Sequence, residues 1–157
     1  MFNKKFTELL PRDYKINMYR KNIDNGIHLI LYISDKKLDL NDIKNNSIGY
    51  IEYIFDQIFL EITILYMGVD EKYKNKGIGS FLILLVADMY KNICKVMELD
   101  DMSENAWGKN NLYLNMGFKY INKKPFPEMK GYPLNISKKY NYFYTKYCRK
   151  NNFFKNL

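Results

Sequence analysis

The chain of 157 residues has little of what builds metal centres or redox frameworks. Its only histidine is His28, which excludes a multi-histidine metal site. Its 2 cysteines, Cys94 and Cys148, lie far apart and form neither a CxxC pair nor a metal-ligand spacing. No metal is therefore expected. Two reduced thiols in a cytoplasmic protein are the natural reading. Cys94 opens an apolar stretch and reads as core. A Ser-His-Asp or Cys-His catalytic pair would have to use His28, which starts an apolar run and reads as an ordinary structural residue. No stretch reaches the roughly 20 apolar residues that cross a membrane. The longest candidate, Ile78 to Ala87, is too short and contains Gly79 and Ser80. Met-Phe-Asn-Lys-Lys at the start leads into Glu8, Arg12 and Asp13, without the apolar region of a signal peptide. No membrane partner is expected.

Hydrophobic residues make up 47% of the chain and aromatics 17%, ample for one core and too rich for a disordered chain. Lys+Arg 25 against Asp+Glu 17 leaves a formal charge of +8. That charge favours anionic partners such as a phosphorylated cofactor. Lys and Asn recur everywhere, as in an AT-rich coding sequence, so the charge also has a compositional origin. The basic residues are spread along the chain without an RNA-binding signature, so nucleic acid is not the expected partner.

The pattern along the chain reads as strands, helix, strand, helix, strand, strand. Residues 13–20 and Ile27 to Ser34 form a hairpin through Asp24-Asn25-Gly26. Residues 35–46 are polar and read as a loop with a short helical turn. Ser47 to Phe55 is a strand. Ile58 to Val69 is a longer one, with Gly68 marking a bulge or a close backbone approach. Ile78, Phe81, Leu82, Leu85 and Met89 follow helical spacing, and Ile83, Leu84 and Val86 widen the stripe to a buried helix ending near Asn92. Lys95 to Leu99 is a strand. A shorter helix follows within 100–116, capped by Gly117. Phe118 to Ile121 is a strand. Residues 123–137, with Pro125, Pro127 and Pro133, read as a loop, and Lys139 to Tyr147 as a final alternating strand. The tail from Arg149 carries no clear pattern. No repeat or linker divides the chain, so 1–157 reads as one α/β domain with a mixed, mostly antiparallel sheet flanked by helices.

Chemistry concentrates in Lys74-Asn75-Lys76-Gly77-Ile78-Gly79-Ser80, between the long strand and the buried helix. Glycines there let the main chain approach a phosphate. Free amides and the helix N-terminus supply about half a positive charge. Lys72, Lys74 and Lys76 add more. The segment lacks GxxxxGK[ST], so it is not an NTPase phosphate loop. Leu82 stands where GxGxxG needs its last glycine, which argues against a dinucleotide fold.

The run from Val69 to Gly79 is similar to the cofactor motif of the GNAT N-acetyltransferases, an apolar strand end followed by Q/R-x-x-G-x-G/A, with Lys74 at the Gln/Arg position. Leu112-Tyr113-Leu114-Asn115-Met116-Gly117-Phe118 resembles the family's second signature, Leu-Tyr-x-x-x-Gly-Phe. Together the two cover roughly Ile58 to Tyr120. The coding bias and Leu99-Asp100-Asp101-Met102-Ser103 also resemble acetyltransferase-like proteins of large DNA viruses.

The resemblance implies a GNAT-like acyl-CoA N-acyltransferase fold and transfer from acetyl-CoA to an amine acceptor, protein or small molecule. It implies that Met67, Gly68 and Val69 hold the pantetheine arm and that Lys74, Asn75, Lys76, Gly77, Ile78, Gly79 and Ser80 hold the pyrophosphate. Tyr113 matches the family's proton donor to the departing thiolate. Glu61 is a candidate base on the long strand, although Thr63 is nearer by spacing. Glu128, Asp100 and Asp101 are rivals, and water is another carrier. Asn105, Asn110, Asn111 and Lys109 are candidates for further coenzyme contacts. Asp24-Asn25-Gly26 leaves no room for the two helices that many members insert between the first strands. Acceptor recognition then falls to 35–46 and 123–137, including Phe126, Glu128 and Tyr132. A non-catalytic acyl-CoA-binding module on the same fold is the alternative. A monomer or homodimer is expected.

Overall fold

In the computed structural model, which describes residues 2–149 and 153–156, seven strands form one sheet in the order β1-β2-β3-β4-β5-β7-β6. The strands are β1 (Lys15–Ile23), β2 (Gly26–Ser34), β3 (Gly49–Asp56), β4 (Glu61–Val69), β5 (Val96–Asp100), β6 (Lys119–Tyr120) and β7 (Glu128–Gly131). Every neighbouring pair is antiparallel except β4 and β5. Parallel strands need a long crossover, and α3 (Ile78–Tyr90) supplies it. The β1–β2 hairpin turns at Asn25, whose φ of 60° suits asparagine. The β3–β4 turn is held by the Asp56 carboxylate, which accepts from the amides of Ile58 and Phe59, both at 2.9 Å.

Helix α3 is apolar on all sides, and a helix of that kind belongs inside the protein. Every residue from Phe81 to Ala87 is at 0% exposure. One side of the core is the inner face of the sheet, with Leu31, Ile51, Tyr53, Ile62, Met97 and Met129. The other side is closed by both ends of the chain. Phe6 of α1 (Lys4–Thr7) meets Phe81 edge-on at 5.6 Å, and Phe154 stacks on Phe81 at 5.0 Å. Each large side chain fully buried this way contributes about 1.5–3 kcal/mol. The outer face is covered over β2 and β3 by α2 (Ile43–Asn46), where Ile30, Tyr32 and Ile43 form a second small cluster.

Several sequence expectations are corrected. Strand β4 starts at Glu61, because Ile58, Phe59 and Leu60 form an exposed hairpin tip. The bulge in β4 is at Leu65, left without a partner between Glu52↔Tyr66 and Tyr53↔Ile64, and not at Gly68. Gly68 serves a close approach instead: a Cβ there would fall 2.6 Å from the Tyr50 ring. The expected loop 123–137 contains β7 and α5 (Pro133–Ser137); Pro133 sits at a helix start, where a missing N–H costs nothing. The expected final strand 139–147 is helical, as α6 (Tyr140–Phe143) continued by a π turn (Tyr144–Cys148). Aromatics at Tyr140, Phe143, Tyr144 and Tyr147 fit helical spacing, and they outweigh the apparent alternation once α3 needs a lid. The short helix α4 (Leu112–Asn115) ends at Gly117, whose φ of 100° makes it the expected cap. Of the patternless tail, Arg149 and 153–156 are described, and Lys150 to Asn152 and Leu157 lie outside the described residues.

Candidate active site

The glycine turn is shaped by two left-handed residues. Asn75 has φ 64° and Gly77 has φ 90°. Asn tolerates that region, and Gly adopts it freely. Upstream, the Asp70 carboxylate accepts from the Lys72 amide at 2.9 Å and fixes a short 3-10 turn, Glu71–Tyr73. The first bond that returns into α3 is Phe81 N–H to the Gly77 carbonyl, 2.9 Å. The amides of residues 75–80 therefore have no acceptor among the described residues. They gather a run of orphan donors beside the positive end of α3.

A cleft of about 750 Å³ lies there. Met67, Gly68 and Val69 line it from β4, and Lys74, Asn75, Gly77, Ile78, Gly79 and Ser80 from the turn and the head of α3. Asn110 lines it from the loop before α4. Lys76 does not line it. Tyr73, Leu112, Asn115, Lys146 and Tyr147 also line it, beyond the residues expected from the sequence. Leu112 and Asn115 stand inside the Leu-Tyr-x-x-x-Gly-Phe run, so their signal was present. Lys146 and Tyr147 come from the segment read as a strand, where the helical spacing of the aromatics was the usable signal.

Beside the cleft the sheet opens. Strands β4 and β5 pair only over Glu61–Thr63 and Val96–Glu98. Beyond Thr63 the β5-facing edge of β4 has no strand partner. Two cavities of about 220 Å³ each fill the opening. The inner one is walled by Met67, which also lines the cleft, and by Tyr66, Asp100 and Tyr113. The outer one is walled by Thr63, Glu98, Asp100 and Glu128. Leu65, Asp100 and Met102 border both, so the opening runs from the cleft to an acidic mouth.

Tyr113 is half-buried, with its ring edge-on to Phe118 at 5.8 Å. Burial raises its phenol above the ordinary value, and the Asp101 charge adds to the rise. The hydroxyl is therefore a protonated donor at neutral pH, and among the described residues it has no hydrogen-bond partner.

The carboxylates separate by their surroundings. Glu61 opens β4 opposite Asp56 and Val96 and lines none of the three cavities. Asp101 is buried and accepts from the Ser103 amide at 3.0 Å, the Ser103 hydroxyl at 2.6 Å and Asn111 Nδ2 at 2.6 Å. Asn111 also caps α4 through the Leu114 amide at 3.0 Å. Asp101 and Asn111 thus hold the loop together. Glu98 is paired with Lys130 at 3.3 Å, and Glu128 accepts from Asn122 at 2.8 Å. Asp100 is exposed and has no partner among the described residues.

His28 lies 2.7 Å from Glu52 on the outer face of the sheet. Lys44 forms an ion pair with the other Glu52 oxygen at 3.1 Å. Cys94 and Cys148 are buried and unpaired, and burial pushes both thiols up to about 11. Neither is a thiolate nucleophile at neutral pH. No three His, Cys, Asp or Glu side chains among the described residues are grouped as a metal requires. No described helix is long and apolar enough to cross a membrane.

A family model described as an acetyltransferase (GNAT) domain matches residues 27–120, well over half of the chain. The chain belongs to the GNAT acetyltransferases. Among solved structures it is similar to a PaiA N-acetyltransferase from Thermoplasma acidophilum in complex with coenzyme A. The two are 22% identical with a TM-score of 0.50, over 67% of this chain and 60% of that one. This chain therefore spans less than two thirds of that protein's length. It is also similar to a mutant AtaT toxin bound to the C-terminus of the antitoxin AtaR, at 10% identity and a TM-score of 0.54, covering 82% of this chain and 98% of that one. A KacTA–DNA complex is 13% identical with a TM-score of 0.51, covering 76% of each chain. At these identities the likeness is one of fold. No curated protein matches the sequence. In this GNAT chain the β1–β2 turn has no helical insert, and the helical cover lies between β2 and β3 as α2. Strand β1, β7, α5, α6 and the π turn lie outside the matched segment.

Proposed function

We propose that the protein transfers the acetyl group of acetyl-CoA to a primary amine by direct attack in a ternary complex. The observation that carries this reading is the run of six unpaired amides, residues 75–80, at the head of α3, where every one of these residues except Lys76 lines the cleft. A diphosphate satisfies such donors without a side-chain cage. The unpaired edge of β4 at Met67, Gly68 and Val69 suits the amides of a pantetheine arm. The thioester then reaches the opening between β4 and β5.

In the transfer, the amine nitrogen attacks the thioester carbonyl, the C–N bond forms and the C–S bond breaks. Main-chain donors on β4 stabilise the developing oxyanion. Tyr113 gives its proton to the departing thiolate. The ammonium loses one proton to Asp100, directly or through a water, before it attacks, and the second proton, lost as the amide forms, returns through water to the Tyr113 phenolate. Asp100 takes this role because it borders both cavities and no neighbour claims it. Glu61 is too far down β4 to reach the opening. Glu98, Asp100 and Glu128 at the mouth favour an acceptor that arrives as a cation. Residues 1–157 act as one domain, a reading supported by a core that runs from Phe6 to Phe154. Two unpaired thiols suit a cytoplasmic setting.

The test is a panel of primary amines, on peptides and small molecules, incubated with acetyl-CoA while free thiol is followed. Amine-dependent thiol release supports the reading. Coenzyme A binding without thiol release from any amine would leave a non-catalytic acyl-CoA module. Absence of coenzyme A binding would end the reading itself.

A further inference from the structure

We propose that the C-terminal helix completes the coenzyme site, with Tyr147 closing over the glycine turn and Lys146 neutralising a coenzyme phosphate. This rests on the coenzyme reading above. Of the two cations that line the cleft, Lys74 is already 2.8 Å from Glu71. Lys146 has no carboxylate partner among the described residues. Its ammonium donates to the Tyr142 hydroxyl at 3.3 Å and lies 5.3 Å over the Tyr147 ring. These neighbours orient the charge without cancelling it, and the Tyr142 bond holds the amine protonated. A helix end supplies only about half a charge, less than a diphosphate carries, so a full cation in the cleft's lining has a task there.

Tyr147 is seated on the turn. A Cβ on Gly77 would fall 2.4 Å from Tyr147 Cγ, so the ring lies directly against the glycine main chain. The ring is fixed from below by Phe143 at 5.7 Å, itself fully buried. The π turn explains how one short segment serves both core and cleft. Phe143 and Cys148, five residues apart, are both at 0% exposure. An i→i+5 turn brings such a pair onto one face and frees Lys146 and Tyr147 to face the cleft. Turns of this type are rare and concentrate at functional sites. Lys146 and Tyr147 lie outside residues 27–120, the segment that the family model matches.

The experiment measures coenzyme A binding to the full chain by calorimetry for wild type, Lys146→Met, Lys146→Arg and the surface control Lys138→Met. A charge-assisted contact at a partly exposed site predicts a loss of about 5- to 50-fold for Lys146→Met. Lys146→Arg should return to within about 3-fold of wild type, and Lys138→Met should stay near it. With acetyl-pantetheine, which has no phosphate, kcat/KM of wild type and Lys146→Met should coincide. Coenzyme A lacking its ribose phosphate sorts the partner. A persisting loss assigns Lys146 to the diphosphate, and a vanished loss assigns it to the ribose phosphate; both uphold the proposal. Wild-type affinity in Lys146→Met overturns it while leaving the coenzyme reading intact. Failure of the wild type to bind coenzyme A removes both, and is seen before any variant is made.

Discussion

The two ends of the opening between β4 and β5 are built from different materials. At the proposed coenzyme end the groups available are main-chain amides, residues 75–80, and the side chains around them mostly shape or close the space. At the proposed acceptor end the groups available are side chains: Tyr113, Asp100, Glu98 and Glu128 line the two cavities. A site made of main chain fails when the backbone is forced to move. A site made of side chains fails one functional group at a time. The difference also sets what changes: backbone damage should appear in coenzyme affinity and stability, and side-chain damage in turnover.

Tyr113→Phe should break the comparison most sharply. Turnover is expected to fall by about 10- to 1000-fold, while coenzyme A affinity in calorimetry stays within about 2-fold, because the ring and its Phe118 contact remain. Gly77→Ala is the counterpart at the other end. A side chain at φ 90° costs about 1–3 kcal/mol, and it meets the Tyr147 ring. Coenzyme A affinity should drop by about 10- to 100-fold through misplaced amides, with a lower melting temperature in the same preparation. Asp100→Asn should lower kcat/KM for the amine by about 10- to 100-fold at neutral pH. Rising pH should restore much of the rate by supplying more free amine, and binding of coenzyme A should not change. An unchanged rate would return the base to Glu98, Glu128 or water.

The smallest effect belongs to neither end and serves as their baseline. The thiols of Cys94 and Cys148 are raised from 9.0 to about 11 by burial. The folded state therefore holds protons that the unfolded chain releases first. Stability should be full below pH 9 and decline as pH climbs toward about 11, measurable as a falling denaturation midpoint. Cys94→Ala should flatten that decline, whatever its effect at neutral pH.

Much of this was legible in the sequence. The spacing of Ile78, Phe81, Leu82, Leu85 and Met89 marks a helix, the apolar fill between them marks it as buried, and Asn25-Gly26 marks a hairpin turn. The Lys74–Ser80 turn was readable because glycine is the cheap way to reach positive φ beside a helix start, and Gly77 is used that way. The C-terminal third is less legible. Over nine residues from Lys139 to Tyr147, an aromatic-rich alternation and a helical stripe coincide, and only the need to cover α3 separates them. The prolines of 123–137 pointed to a loop, yet Pro133 starts a helix and Glu128 to Gly131 pairs with β5. The choice of base had the same weakness. Spacing along β4 ranked Glu61 and Thr63, but could not say where β4 and β5 part.

The sequence by itself determined the local geometry: turn chemistry, helix burial and the glycine-rich approach to an anion, all set by neighbours a few residues apart. The tertiary structure alone decided which side chains meet across long separations. It placed Asp100 rather than Glu61 at the opening and laid Tyr147 on Gly77. The physical reason is that backbone dihedrals and periodicity are short-range properties. The partners of a cleft are chosen by how whole layers pack to bury α3.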